Sequence, residues 1–157
     1  MKRILYFDMD GVLVDFNSAL KKQTPEILRQ YDGHPDDIPD LFGQMDPMPG
    51  AIEAIHKLAE KYDCYILSTA PWNNPSAWAD KVRWVTKYMG DVFKKKIILT
   101  HHKNLLDDGK ALLIDDKTKH GAEKFGDRHI QFGTEQFPNW HAVENFWLKL
   151  QGILFFS

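Results

Sequence analysis

Ile4-Leu5-Tyr6-Phe7-Asp8-Met9-Asp10-Gly11-Val12-Leu13 is a short apolar run that breaks into two carboxylates one residue apart and then a glycine. A run of that length bounded by a glycine turn reads as a buried strand, and Gly11 permits the sharp bend that lets Asp8 and Asp10 reach one site at the strand's exit. Two carboxylates placed this way have two uses. One attacks an electrophile or binds a hard cation through oxygen, while the other, its pKa raised by the neighbouring charge, carries a proton. Working outward, four more apolar runs follow at residues 64–67, 96–99, 111–114 and 130–132. Asp8, Ser68, Thr100 and Asp115 end the first four runs. In an open parallel sheet the strands' carboxyl ends share one edge, so these groups, remote in sequence, are expected to converge there.

Amphipathic stretches separate the runs, which is the α/β pattern. Pro49-Gly50 opens a helix with Ile52, Ile55, Leu58 and Ala59 on one face, and Asn74-Pro75 supplies a cap and first residue for another. In that second helix Trp78, Val82, Val85 and Met89 form the expected core stripe, with Gly90 as the stop. A final helix is expected over residues 140–150, packing through Trp140, Val143, Trp147 and Leu150. Residues 15–48 break the alternation: a short helical pattern through Leu20, Ile27 and Leu28 leads into an acidic, turn-forming stretch around Asp32-Gly33 and Asp36-Asp37. That segment reads as an insertion over the first strand's exit, with a plain surface excursion as the alternative.

The 157 residues suit one domain, and 43% hydrophobic against 27% charged residues can bury a core. A net charge of -2 offers no field to gather a nucleic-acid polymer, and no apolar run approaches the length that spans a membrane. The single cysteine, Cys64, lies in an apolar run, as expected of a buried residue in a reduced cytoplasmic protein. Seven histidines are scattered or adjacent, as at His101-His102, and none shows the i, i+4 pairing of a helical zinc site.

The motif Asp8-Met9-Asp10-Gly11-Val12-Leu13 resembles the first motif of haloacid dehalogenase superfamily phosphatases. The other motifs follow in order: Ser68-Thr69, Lys103 and Asp115-Asp116, each after an apolar run. Closer still is the similarity to the 5'(3')-deoxyribonucleotidases of the cytosolic type C family, carried by residues 8–16, 47–54, 81–85, 97–103 and 112–117. The resemblance implies a Rossmann-like, mainly parallel sheet flanked by helices, with a core of residues 1–14 and 49–157 and a small helical cap at about 15–48 inserted after the first strand. It further implies a Mg2+-dependent phosphomonoesterase working through an aspartyl phosphate. Asp8 is then nucleophile and metal ligand, and Asp10 is general acid and base with its backbone carbonyl on the metal. Lys103 screens charge, and Asp115 and Asp116 hold the metal, with Asp116 preferred as the direct ligand. Ser68 and Thr69 offer hydroxyls to the phosphate, without indication of which points inward. Lys96, Lys110 and Lys117 are rivals to Lys103, but only Lys103 follows its apolar run at the matching interval. Lys81, in Lys81-Val82-Arg83-Trp84, is either a phosphate or substrate contact or an exposed helical lysine.

Departures from the family concern the substrate. The insertion is short for a full aromatic cage, Ala70 follows the hydroxyl pair where proline is usual, and His101-His102 stands where Arg-Asp is usual. Phe16, Trp72 and Phe42 either stack on a base or close the core. The expected partner is a small phosphate ester, a nucleoside monophosphate first and a sugar phosphate second. A catalytically silent binding module of the same fold is the rival from another class. The sequence leaves a homodimer open.

Overall fold

A computed structural model of the protein describes the backbone of residues 1–154 and the side chains of residues 1–147. From β1 (Ile4–Phe7) the chain turns into β2 (Val14–Asp15), α1 (Phe16–Leu20) and α2 (Pro25–Gln30), and returns through β3 (Asp46–Pro47) to α3 (Ala51–Ala59). There follow β4 (Asp63–Ser68), α4 (Pro75–Met89), β5 (Ile97–Leu99), β6 (Leu112–Asp115), β7 (His129–Gln131) and α5 (Trp140–Leu154). The five-stranded sheet has the order β5-β4-β1-β6-β7, and all four pairings are parallel. β1 lies at its centre, and Leu5, Tyr6 and Phe7 are buried there. The chain runs outward from β1 through β4 to β5, then crosses back to β6 on the other side of β1. Loops leaving β1 and β6 therefore diverge and open a crevice at their carboxyl ends, the position where open α/β sheets bind ligands.

Alternation along the strands sorts the core into two faces. Leu5, Phe7, Cys64, Ile66 and Ile114 join the larger cluster with Ala54 and Ile55 of α3, Trp84 and Val85 of α4, and Trp140, Val143 and Trp147 of α5. Tyr6, Leu67 and Leu113 face the other way, under Ala122 and Phe125. That second face is covered by 3-10 turns, Lys103–Leu106 and Ala122–Arg128, instead of α-helices. The regular strand and helix alternation stops at β5 because the connections carry turn-formers, Asp107-Asp108-Gly109 in one and Gly121 in the other.

The stripe expected on α4 is met by Val85 and Met89 in its second half and displaced by one residue in its first, at Trp78 and Val82. Ala77, Lys81, Trp84, Val85 and Met89 are buried, whereas Val82 is 44% exposed and Trp78 only half-buried. One residue is 100° of helix rotation, so the row through Trp78 and Val82 winds away from the core face set by Ala77, Lys81 and Val85. In α5 Trp140 donates its indole hydrogen to the Val12 carbonyl at 2.8 Å. Leu150, expected on the same face, lies outside the residues whose side chains are described. Among the described residues, no helix is long and apolar enough to cross a membrane.

The segment between β2 and β3 shares the main core, contributing Ile38, Leu41, Phe42 and Met45 to the larger cluster. β2 and β3 pair antiparallel at its base, and the Trp84 indole donates to the Met45 carbonyl at 2.8 Å. Asn74 stands at the N-cap of α4, but its side-chain amide donates to the carbonyls of Asp36 and Ile38 at 2.9 and 2.8 Å. Its oxygen accepts from the Ser76 hydroxyl instead of a helix amide. Asn74 thus ties the segment to α4. Asn74→Ala leaves both carbonyls without that donor, and chemical denaturation should show a loss of about 2–3 kcal/mol. A loss below about 0.5 kcal/mol, the level of an ordinary surface change, contradicts the tether.

Candidate active site

At the exit of β1, the Asp8 amide donates to the Ile114 carbonyl of β6 at 2.9 Å, which fixes the nucleophile candidate against the neighbouring strand. The chain then doubles back so tightly that the amides of Val12, Leu13 and Val14 all donate to the Met9 carbonyl, at 3.1, 2.8 and 3.0 Å. Gly11 makes this turn at φ +77°, and a Cβ there would collide with the Asp116 carboxylate. Both its backbone conformation and its lack of a side chain are therefore needed.

Carboxylate oxygens of Asp8, Asp115 and Asp116 lie within 4.8 Å of one another. Lys103, 3% exposed, reaches them from the turn after β5: its Nζ is 3.2 Å from Asp8 Oδ1 and 2.5 Å from Asp115 Oδ2. Burial works against its charge, but Asp8 and Asp115 outweigh that and raise its pKa. The Asp115 carboxylate is further held by the Lys117 amide at 3.0 Å. Asp116 differs, since its Oδ1 is buried with no hydrogen-bond partner, and burial, then Asp8 and Asp115, push its carboxyl up to about 7. Three carboxylates facing one ammonium, with an unsatisfied oxygen among them and oxygen donors only, fit a hard divalent cation.

Asp10 points elsewhere. Its Oδ2 accepts from Lys81 Nζ at 2.9 Å, and its Oδ1 is buried without a partner. Burial raises its carboxyl pKa and Asp8 adds to that, while Lys81 opposes. Lys81 is 1% exposed, so the reading as a solvated helical lysine is excluded; it also donates to Ser68 Oγ at 3.2 Å and lies 4.7 Å from the centre of the Phe42 ring. Of the two hydroxyl residues, Ser68 is fully buried beneath the site, and Thr69 lines the cavity, donating its hydroxyl to the Thr100 carbonyl at 2.7 Å.

The cavity above these groups holds about 740 Å³. Phe16, Pro35, Phe42 and Met48 line it from the segment after β2, and Trp72, His101 and His120 from the strand exits. Phe16 packs edge-on against Phe42 at 5.9 Å, and Phe42 is buried, so it serves the core. Trp72, at 79% exposure, does not close the core; its ring lies 6.1 Å from His101, which is 5.8 Å from His120. His102 is exposed and does not line the cavity. Sequence reasoning missed His120 and Lys119, whose only signal was their position just after the acidic pair, and weighed Lys117, which also lines the cavity, only as a rival to Lys103. Cys64 is remote from the cavity lining, and burial pushes its thiol up to about 12.

An acid whose pKa is raised by folding holds its proton more tightly in the folded chain, so stability falls as pH rises between the unfolded and folded values. For Asp116 that window runs from 3.8 to about 7. Asp10 and Asp115 act with the same sign, and His120, lowered by burial and then by His101, acts against them. Chelator-treated protein should therefore melt lower at about pH 8 than at about pH 5, and added Mg2+ should raise Tm more at the higher pH. A Mg2+ effect independent of pH contradicts binding at these carboxylates.

The family of 5' nucleotidase, deoxy (pyrimidine), cytosolic type C proteins matches residues 23–147 of the chain. A protein of Vibrio phage KVP40, provisionally named 5'(3')-deoxyribonucleotidase, is 49% identical over 142 residues, covering 90% of this chain and 82% of that protein. The human cytosolic-type 5'(3')-deoxyribonucleotidase is 32% identical over 166 residues, covering 87% of this chain and 76% of its own. Among solved structures, the haloacid dehalogenase-like hydrolase YfnB of Bacillus subtilis, crystallised with magnesium, matches with a TM-score of 0.64 at 14% identity, covering 92% of this chain and 98% of that one, which speaks to the fold alone. With a family match across most of its length and these relatives, the chain belongs to the 5' nucleotidase, deoxy (pyrimidine), cytosolic type C family and is a phosphatase on a haloacid dehalogenase-like fold.

Proposed function

We propose that the protein hydrolyses nucleoside monophosphates, deoxyribonucleotides by preference, through a phosphoryl group carried on Asp8. The observation that carries this reading is the division of two neighbouring carboxylates between two buried lysines. Asp8 lies 3.2 Å from Lys103, while Asp10 bonds Lys81 and has its carboxyl pKa raised by burial. An Asp8 oxygen attacks phosphorus, and the bond from phosphorus to the ester oxygen breaks. Asp10 delivers its proton to that oxygen, so the alcohol leaves neutral. Water then attacks phosphorus, Asp10 takes the water's proton, and the bond to Asp8 breaks, releasing phosphate and restoring both carboxyl groups. Lys103 holds Asp8 in line and offsets the negative charge of the incoming ester. Thr69 lines the side of the site that receives the phosphate oxygens, with Ser68 and Lys81 buried behind it. Asp8, Asp115 and Asp116, with the Asp10 carbonyl, would hold Mg2+, which when bound neutralises the phosphate charge.

Residues 15–48 act as a cap on the rest of the described chain, residues 1–14 and 49–154, and the cavity of about 740 Å³ beneath it is of nucleotide size. Phe16 and Trp72 are the rings offered to the base. The deoxyribonucleotidase names of the relatives support this substrate class, and the human relative's cytosolic type supports a cytoplasmic location.

Asp8→Asn should lower kcat more than about 100-fold in a folded protein, because an amide is a poor nucleophile. Asp10→Asn should slow alkyl phosphates far more than nitrophenyl phosphate, whose leaving group needs no proton. Equal losses for the two esters remove Asp10 from the acid role. For the substrate, a stacked base is worth about 1–3 kcal/mol, so kcat/KM for dUMP should exceed that for ribose 5-phosphate by roughly 5-fold to 150-fold. Comparable values for dUMP, UMP and ribose 5-phosphate overturn the nucleotide reading and leave a phosphatase of broader specificity.

A further inference from the structure

We infer that His129 and Gln131, two residues apart on the edge strand β7, are positioning residues that hold the backbone of Asp115-Asp116 and thereby set the cation-binding carboxylates. This rests on Asp115 and Asp116 being cation ligands. The His129 Nε2 lies 3.1 Å from the Asp115 carbonyl oxygen, and the Gln131 amide donates to the Asp116 carbonyl at 3.3 Å. A carbonyl oxygen only accepts, so His129 carries a hydrogen on Nε2 in this contact. Sheet register places Gln131 opposite Asp115 and His129 opposite Leu113, so the histidine leans forward along the strand to reach its partner.

The intervening Ile130 packs into the core, whereas His129 and Gln131 border a second, open cavity of about 590 Å³ with Phe137. Core packing therefore does not demand either polar side chain. The last ladder bond on this edge runs from the Phe132 amide to the Asp115 carbonyl at 3.0 Å. Asp116 lies one residue beyond it, where the chain leaves the sheet, and its carboxylate must still fit against Gly11 with one oxygen unsatisfied. Gln131 supplies at that point the restraint that the ladder no longer does. The same peptide carries the Lys117 N–H that donates to Asp115 Oδ1 at 3.0 Å, so its rotation would release the Asp115 carboxylate.

Partners of this kind, one bond removed from a metal ligand, typically alter metal affinity about 10-fold to 100-fold. The test compares wild type with Gln131→Met, His129→Leu and the double variant, reading the Mg2+ dissociation constant by calorimetry, the melting point without metal, and kcat at saturating Mg2+. Gln131→Met should weaken Mg2+ binding about 10-fold or more, with kcat at saturating Mg2+ within about 3-fold of wild type. His129→Gln, which restores an N–H donor, should recover most of the affinity lost in His129→Leu. Wild-type affinity in folded variants overturns the inference, as does a fall in metal-free melting point with affinity unchanged. If the leucine variant does not fold, the Gln131→Met and His129→Gln affinities still decide. Wild type that binds Mg2+ but turns over no nucleotide ends the functional reading and leaves this one to the variants.

Discussion

Asp8, Asp115 and Asp116 bring three carboxylates within 4.8 Å of one another at the junction of the sheet's two central strands. Like charges at about 4 Å cost on the order of 4 kcal/mol per pair at the effective dielectric near a protein surface. Lys103 is the only cation shown in contact with them among the described residues, and much of the surrounding chain serves to place it. Its backbone amide donates to the His120 carbonyl at 2.7 Å, tying the turn after β5 to the loop after β6. That approach is so close that a Cβ on Gly121, at φ +88°, would strike the backbone nitrogen of Asn104. Gly11 does the same on the opposite side, making room for Asp116. Burial first, and then this repulsion, raises the carboxyl pKa values of Asp115 and Asp116, and a bound divalent cation would relieve the repulsion.

Chemical differentiation of Asp8 from Asp10 follows from the same geometry. Successive side chains on an extended strand face opposite ways, but residues two apart face the same way, so an Asp-x-Asp would ordinarily aim both carboxylates together. The turn at Met9 to Val14 separates them, sending Asp8 towards Lys103 and Asp10 towards Lys81. Lys81 is available there because the α4 face that packs on the core places it beside Ser68 and Phe42. Helix packing, the seating of Phe42 and the environment of Asp10 thus share one side chain.

Substrate access depends on how the segment after β2 is seated. It has no separate core: Ile38, Leu41, Phe42 and Met45 join the cluster beneath the sheet, and Asn74 and Trp84 of the α4 region bond its carbonyls. Cavity walls built this way are continuous with the main core, so Phe16 is backed by Phe42 and held at a fixed position over the site.

Legible in the linear sequence were the strands, the exits at which Asp8, Ser68 and Asp115 stand, and the helices with their proline and glycine boundaries, because short-range periodicity and turn chemistry set these. The carboxylate pair and the acidic doublet were legible too, as residue types that cost free energy to bury and are expected at apolar strand ends only for a purpose. Tertiary structure alone decided that Lys81 is buried against Asp10, that Val82 faces solvent while Ala77 and Lys81 face inward, and that Asn74 binds the segment between β2 and β3 instead of its helix. It also decided that α-helices gather on one face of the sheet, and that His120, His129 and Gln131 stand around the acidic pair. The reason is one of range: a helix's rotation about its axis, and the partner chosen by a polar side chain, depend on what lies across the core from it. Those partners are 13 to 71 residues away in the chain for Lys81, a separation at which local pattern carries no information.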